Sequence, residues 1–175
     1  MAELNTARRP RVLFDTSALF GAEHRRSIAR LVDRDIPAFT PLWSEWIIGE
    51  LYYGLAWRWA EKTVAAGNGL TDEHRRDMGR AAKAMLMAML PLFELVSLHG
   101  APPFATRDFI PDEDDLHLYE AAIRGGATTV VLNDGPLLRA YRKASGWGTI
   151  ELTQPDRFFA SFESDLQEPL EPDEA

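Results

Sequence analysis

The sequence predicts an α/β fold, three layers with helices on both faces of a central, mostly parallel sheet, on three observations. Short apolar runs that suit buried strands alternate with longer stretches of helical periodicity, the order that builds a doubly covered parallel sheet. The chain has 175 residues, 46% of them hydrophobic, enough for one core and one domain. Its 12 glycines and 11 prolines are an ordinary share that argues against a disordered chain.

The elements follow in order. Arg11 to Phe14 is an apolar run ending at Asp15, which suits a buried strand. Thr16 or Ser17 can cap a helix running to Asp33, with Ala18, Leu19, Ile28, Leu31 and Val32 as its apolar positions. Ile36 to Thr40 reads as a second strand, and Pro41 as the opening of a helix that carries Trp43, Trp46, Ile47, Glu50 and Gly54. From Glu61 to Leu90 the pattern is helical, interrupted at Gly67-Asn68-Gly69, with Thr71 to His74 as a second start: a helical hairpin inserted over residues 61–92. Glu94 to Leu98 returns as a strand, and Gly100 to Pro111 is a proline-rich loop. A helix from Asp112–Asp115 stops at Gly125-Gly126, Thr128 to Leu132 is a β-branched strand, and Gly135-Pro136 leads into a short helix. Gly148 to Leu152 and Pro155 to Phe162 supply a last strand and a last amphipathic helix. Residues 1–10 form an N-terminal extension, 11–162 a single domain, and 163–175 an acidic tail expected to be solvated and disordered.

Composition narrows the function. Without cysteine there is no disulfide and no thiolate zinc site, which fits a cytoplasmic protein. The N-terminus lacks the apolar segment of a signal peptide. The most apolar stretch, Ala84 to Leu98, is interrupted by Pro91 and Glu94 and falls short of the roughly 20 residues a membrane span needs. A net charge of −8 argues against tight, nonspecific binding of nucleic acid by the bare chain.

Four acidic positions stand among apolar residues: Asp15, Glu50, Asp115 and Asp134. Desolvating a carboxylate is costly unless it has a partner, and a divalent cation serves several at once. Ligands of an open parallel sheet bind beyond the carboxyl ends of its strands, where Asp15 and Asp134 fall. If the Glu50 face of its helix meets those ends, the acids converge, repelling one another until a hard cation such as Mg²⁺ sits between them. The implied reaction is metal-assisted hydrolysis of a phosphodiester.

The segments D-T-S-A-L, E-L-Y-Y-G-L, D-L-H-L-Y-E-A-A-I-R-G-G-A and V-V-L-N-D resemble, in order and over most of the chain, the four motifs of the PIN domain family, in particular its VapC-type toxin ribonucleases. The resemblance implies a PIN-like fold and a Mg²⁺- or Mn²⁺-dependent endoribonuclease, with Asp15, Glu50, Asp115 and Asp134 as catalytic metal ligands and Ser17 as the small polar residue beside the first. It also implies an RNA substrate, a homodimer, and neutralisation by a small antitoxin protein. Leu132 stands where the family often has Thr, and the helical insertion is long for a small toxin. The alternative is a non-catalytic PIN-like scaffold acting through protein or RNA binding.

Beside these acids, Asp112 is an auxiliary candidate near Asp115, and Asn133 can serve a turn or hold a substrate or metal-bound water. Asp15 also suits a helix cap, and His117 reads as a structural or surface residue pointing away from the acids. The aromatic series Trp43, Trp46, Tyr52, Tyr53, Trp57 and Trp59 divides between core, dimer contact and base stacking. Among the basic clusters, Arg139, Arg142 and Lys143 are the candidates for phosphate contacts.

Overall fold

A computed structural model describes residues 9–99, 116–133, 135, 138–139 and 148–167. Its sheet is built from β1 (Arg11–Phe14), β2 (Thr40–Ser44), β3 (Glu94–Val96), β4 (Thr129–Val131) and β5 (Glu151–Thr153). The spatial order is β3-β2-β1-β4-β5, and every pairing is parallel. Successive strands step one way from β1 to β3, then the chain returns to the other side of β1 for β4. The order therefore reverses between β1 and β4, and the crevice outside their carboxyl ends is where such sheets receive ligands.

Helices α1 (Thr16–Leu19), α2 (Ala22–Val32), α3 (Glu45–Ala65), α4 (Asp72–Met89), α5 (Leu116–Arg124), α6 (Pro155–Ala160) and α7 (Glu163–Gln167) cover the sheet in a three-layer α/β/α arrangement, with a 3₁₀ turn at Leu90–Leu92. Strand residues alternate between the two faces. Phe14 lies 5.6–6.3 Å, centroid to centroid, from Phe39, Phe93, Phe158 and Phe159, and Trp43 stacks on Phe93 at 4.6 Å. Leu42 and Val96, on the other face, meet the end of α5 at Gly125. Such tilted and edge-on aromatic pairs add to the area they bury.

The second strand differs from expectation. Ile36 is 82% exposed in a connecting segment, and the strand is Thr40–Ser44. Pro41 occupies its second residue instead of opening a helix, and Trp43 is fully buried in the sheet. A central parallel strand is buried on both faces, so the contiguous run Pro41-Leu42-Trp43 outweighs the proline signal. The helix starts after it, with Ser44 Oγ accepting the Ile47 amide at 3.4 Å. The long first helix is also two: α1 ends at Leu19, and α2 begins after Gly21.

Helix α3 runs unbroken through residue 61, so the helical hairpin is the far half of α3 together with α4 rather than a separate insert. Thr71 caps α4 as expected, in a box with His74. The tail boundary moves as well: Glu163–Gln167 is helical, Leu166 packs on the core, and Arg34 donates to the Asp165 carbonyl and pairs with its carboxylate at 3.7 Å. Residues 1–8, the loop over 100–111 and the tail from 168 lie outside the described residues, as does most of the short helix expected after Gly135. No helix among the described residues is long and apolar enough to cross a membrane.

Two packing points are testable. A Cβ on Gly125 would lie 2.8 Å from Val96 Cγ2 and 2.9 Å from both Leu42 Cδ1 and the Ala121 carbonyl oxygen. Gly125→Ala should therefore destabilise the fold by about 1–3 kcal/mol in urea unfolding, the usual range for overpacking. Arg11 donates to Glu94 through two nitrogens and to the Gly125 carbonyl at 2.6 Å, and the Arg11 hydrogen bond holds the Glu94 carboxyl below its usual range. A lowered folded pKa means that the contribution is complete above the unfolded value and is lost as pH falls through the folded one. The Glu94 side chain is 51% exposed, so Glu94→Gln should cost under about 1 kcal/mol at pH 7, and less still at acid pH.

Candidate functional site

Asp15 is the first residue after β1, and its amide donates to the Val131 carbonyl of β4 at 2.9 Å. The extended backbone at Asp15 turns its side chain back over α1, where Oδ2 accepts the Ser17 amide at 3.0 Å and the Ser17 hydroxyl. Asp15, not Thr16 or Ser17, is thus the cap of α1. A carboxylate at that place satisfies helix amides that would otherwise be orphaned. Capping uses Oδ2 and leaves Oδ1 without a hydrogen bond among the described residues. The Ser17 hydroxyl also accepts the Asn133 amide at 2.8 Å, so one side chain joins the end of β1 to the segment leaving β4. Leu132, which follows β4, is fully buried.

Glu50 lies on α3, and its seat depends on a glycine one turn further on. A Cβ on Gly54 would fall 2.3 Å from Phe20 Cζ, so only the bare backbone admits this ring, which Arg58 covers from 4.1 Å. The contact draws the end of α1 onto α3. Thr16 Oγ1 then donates to Glu50 Oε2 at 2.7 Å. Asp15 and Glu50, separated by 35 positions in the chain, are thus each hydrogen-bonded to one of the consecutive residues Ser17 and Thr16.

His117, set aside in the sequence, faces this site. Its Nε2 lies 3.7 Å from Glu50 Oε2, its side chain is only 11% exposed, and its ring stacks on Trp46 with centroids 5.9 Å apart. No local pattern announced it, because Glu50 and Trp46 belong to another helix. Thr16 was likewise read only as a cap, and its bond to Glu50 is a product of tertiary packing.

Next to Glu50, Glu45 accepts the Ser97 hydroxyl at 2.6 Å and the Leu98 amide at 3.1–3.2 Å, fixing the chain where it leaves β3. Burial would raise the Glu45 carboxyl, but these bonds and that of the His99 amide outweigh it and hold it below its usual range. Glu45, Trp46, Gly49, Glu50 and Tyr53 line a groove of about 480 Å³.

Asp112, Asp115 and Asp134 lie outside the described residues; in the chain, Asp115 directly precedes α5 and Asp134 directly follows Asn133. Among the described residues no three carboxylates or imidazoles gather as a ligand set. The two carboxylates present fit a hard cation in kind. Both are oxygen donors, each steadied through one oxygen by a neighbouring hydroxyl, and Mg²⁺ accepts few protein ligands because it keeps several waters.

The basic clusters sort differently. Arg75 and Arg80 pair with Asp72 and Asp77 on α4, Arg139 is exposed, and Arg142 and Lys143 lie outside the described residues. Of the aromatic series, Trp43 is core and Trp59 and Tyr52 are half-buried, whereas Trp46, Tyr53 and Trp57 stand in solvent.

If Ser17 ties β1 to β4, Ser17→Ala should cost about 0.5–1.5 kcal/mol in urea unfolding, since it removes the hydroxyl's bonds to the exposed Asn133 amide and to Asp15 Oδ2, which keeps the Ser17 amide. Amide exchange at Asn133 should accelerate more than exchange at Val130, which lies inside the β-ladder.

No protein-family model matches the chain, and no curated protein matches it.

Proposed function

We propose that the chain is a Mg²⁺- or Mn²⁺-dependent endoribonuclease that hydrolyses phosphodiester bonds of RNA at the carboxyl ends of β1 and β4. The observation that carries the reading is the hydrogen-bonded link from Asp15 through Ser17 and Thr16 to Glu50, two carboxylates bonded to one turn at the end of β1, where the strand order reverses. By the resemblance to the PIN domain family, Asp115 and Asp134 complete the set, RNA is the substrate, and a small antitoxin protein and a second copy are the expected partners.

Each residue has a task in this reading. Thr16 and Ser17 each occupy one carboxylate oxygen, so the remaining oxygens of Glu50 and Asp15 are presented in fixed positions. Preorganised donors cost little reorganisation when substrate arrives. His117, stacked on Trp46, limits the movement of Glu50. A divalent cation held by Asp15 and Glu50 would supply an acidified water and charge neutralisation for in-line displacement. In that displacement a P–O bond forms to the water oxygen as the bridging P–O bond breaks; the water gives a proton to solvent and the leaving oxygen takes one from it. The excess of acid over base, 27 Asp and Glu against 19 Lys and Arg, leaves cation binding to offset repulsion between protein and phosphate.

The same hydrogen bonds serve a fold without chemistry, which favours the scaffold reading as the alternative, and one experiment separates the two. With the nuclease, millimolar Mg²⁺ or Mn²⁺ should raise the melting temperature, and Asp15→Asn and Glu50→Gln should each abolish most of that rise. Wild type should cleave a fluorescent single-stranded RNA, and both variants should lose at least about a hundredfold in rate. In EDTA, Glu50→Gln should melt at or above the wild-type temperature, because removing one charge relieves repulsion. Intact RNA with every divalent ion tried, and no thermal shift, would leave the scaffold.

A further inference from the structure

One imidazole stands beside candidate ligands that are otherwise oxygens. His117 is the second residue of α5, a helix fixed to the core by Leu118, Tyr119, Ala121 and Ala122. Its Nε2 lies 3.7 Å from Glu50 Oε2, too far for a hydrogen bond between them. The separation falls within the range for two ligands of one ion. With metal–ligand bonds of about 2.1 Å, donors at right angles are about 3.0 Å apart and opposed donors about 4.2 Å. Resting on the nuclease reading, we infer that His117 Nε2 and the Glu50 carboxylate ligate the same ion, and that the imidazole makes the site take a first-row transition ion in preference to Mg²⁺.

Both donors suit that task. The Thr16 hydroxyl takes one lone pair of Glu50 Oε2 at 2.7 Å, and a carboxylate oxygen has a second. The Glu50 side chain is 44% exposed and that of His117 only 11%, so the imidazole is the fixed donor on the protein side and the carboxylate adjusts to it. Trp46 lies against the imidazole, 25° from parallel, and this stacking restricts rotation of the ring and keeps Nε2 beside Glu50. The groove lined by Glu45, Gly49 and Glu50 opens the carboxylate to solvent. A Cβ on Gly49 would meet nothing within 4 Å, which leaves room there for the waters an ion retains.

The donor types choose the ion. Mg²⁺ takes oxygen ligands and gives up its waters reluctantly, so an imidazole adds little to its binding. Transition ions accept imidazole nitrogen, and their affinity for a mixed nitrogen and oxygen site climbs along the first row from Mn²⁺ to Cu²⁺. A carboxylate with one imidazole is such a site, whereas Asp15 with Ser17 offers oxygen alone. A plain ion pair between His117 and Glu50 predicts neither nitrogen ligation nor selectivity, which separates the two accounts.

The test is spectroscopic and needs no RNA. Mn²⁺ bound to the full chain should show coupling to a nitrogen nucleus in electron spin-echo envelope modulation. His117→Gln, which places an amide there, should lose that coupling, and His74→Gln on α4 should keep it. By calorimetry, the ratio of Co²⁺ to Mg²⁺ affinity should fall at least about tenfold in His117→Gln, the low end for losing even a group that only orients a metal ligand. Affinity for Mg²⁺ should stay nearly unchanged. If His117→Gln does not fold, wild type grown on ¹⁵N-histidine serves instead, and its modulation should change to that of ¹⁵N. Mn²⁺ bound without histidine nitrogen, or an unchanged affinity ratio in folded His117→Gln, would overturn the shared ion and leave the nuclease reading standing. Nitrogen coupling in a chain that leaves RNA intact with every divalent ion would keep the shared ion and sink the enzyme, and absence of any Mn²⁺ binding would sink both.

Discussion

Ser17 Oγ donates to Asp15 while accepting the amide of Asn133, and the adjacent Thr16 Oγ1 donates to Glu50. Two hydroxyls on one short turn thereby tie the end of β1 to the end of β4 and to α3. The candidate site depends on this turn, because it bonds to both Asp15 and Glu50. It works because β1 is the central strand: its neighbours β2 and β4 are paired along its length, so its end is a fixed point in the molecule. Hydrogen bonds to carboxylates exceed neutral ones in strength, and here they also set which oxygens remain available.

Packing behind the turn supports it. Phe14, the last residue of β1, is enclosed by phenylalanines from α6 and from the segments preceding β2 and β3. On the other side, Phe20 fills the space that Gly54 leaves open on α3. A side chain at Gly54 would push α1 and α3 apart and take Thr16 away from Glu50. The core and the site are therefore one construction, with apolar contacts setting the separation at which the polar ones form. Trp43 shows the cost of such packing: its indole N–H is buried without a hydrogen-bond partner among the described residues, and the stacking on Phe93 offsets it.

Asp15 has two physical roles that do not compete. As a cap it lowers the cost of starting α1, and as a ligand it would use the oxygen that capping leaves over. The sequence presented these as alternatives, since Thr16 and Ser17 were both acceptable caps. The structure turns Thr16 towards Glu50 and uses Ser17 as donor to Asp15, so neither hydroxyl does what local preference assigned to it. Helix capping preferences describe what a residue can do near a terminus, and long-range partners decide what it does.

Much of the fold was legible in the residues themselves. Apolar runs at Arg11–Phe14 and Thr129–Val131, the glycine stop at Gly125-Gly126 and the cap at Thr71 are local signals, governed by backbone sterics and burial within a few positions. Those signals also placed Asp15 at a strand end and Glu50 on a helix. They failed where two local rules conflicted: Pro41 argued for a helix start, but the apolar run around it belonged to a strand buried on both faces. They were silent on Thr16 and His117 as partners of Glu50 and on which aromatics face solvent, because these depend on how α1, α3 and α5 pack. Composition and periodicity determine which segments must be buried; only the closed tertiary structure determines which side chains that burial brings together.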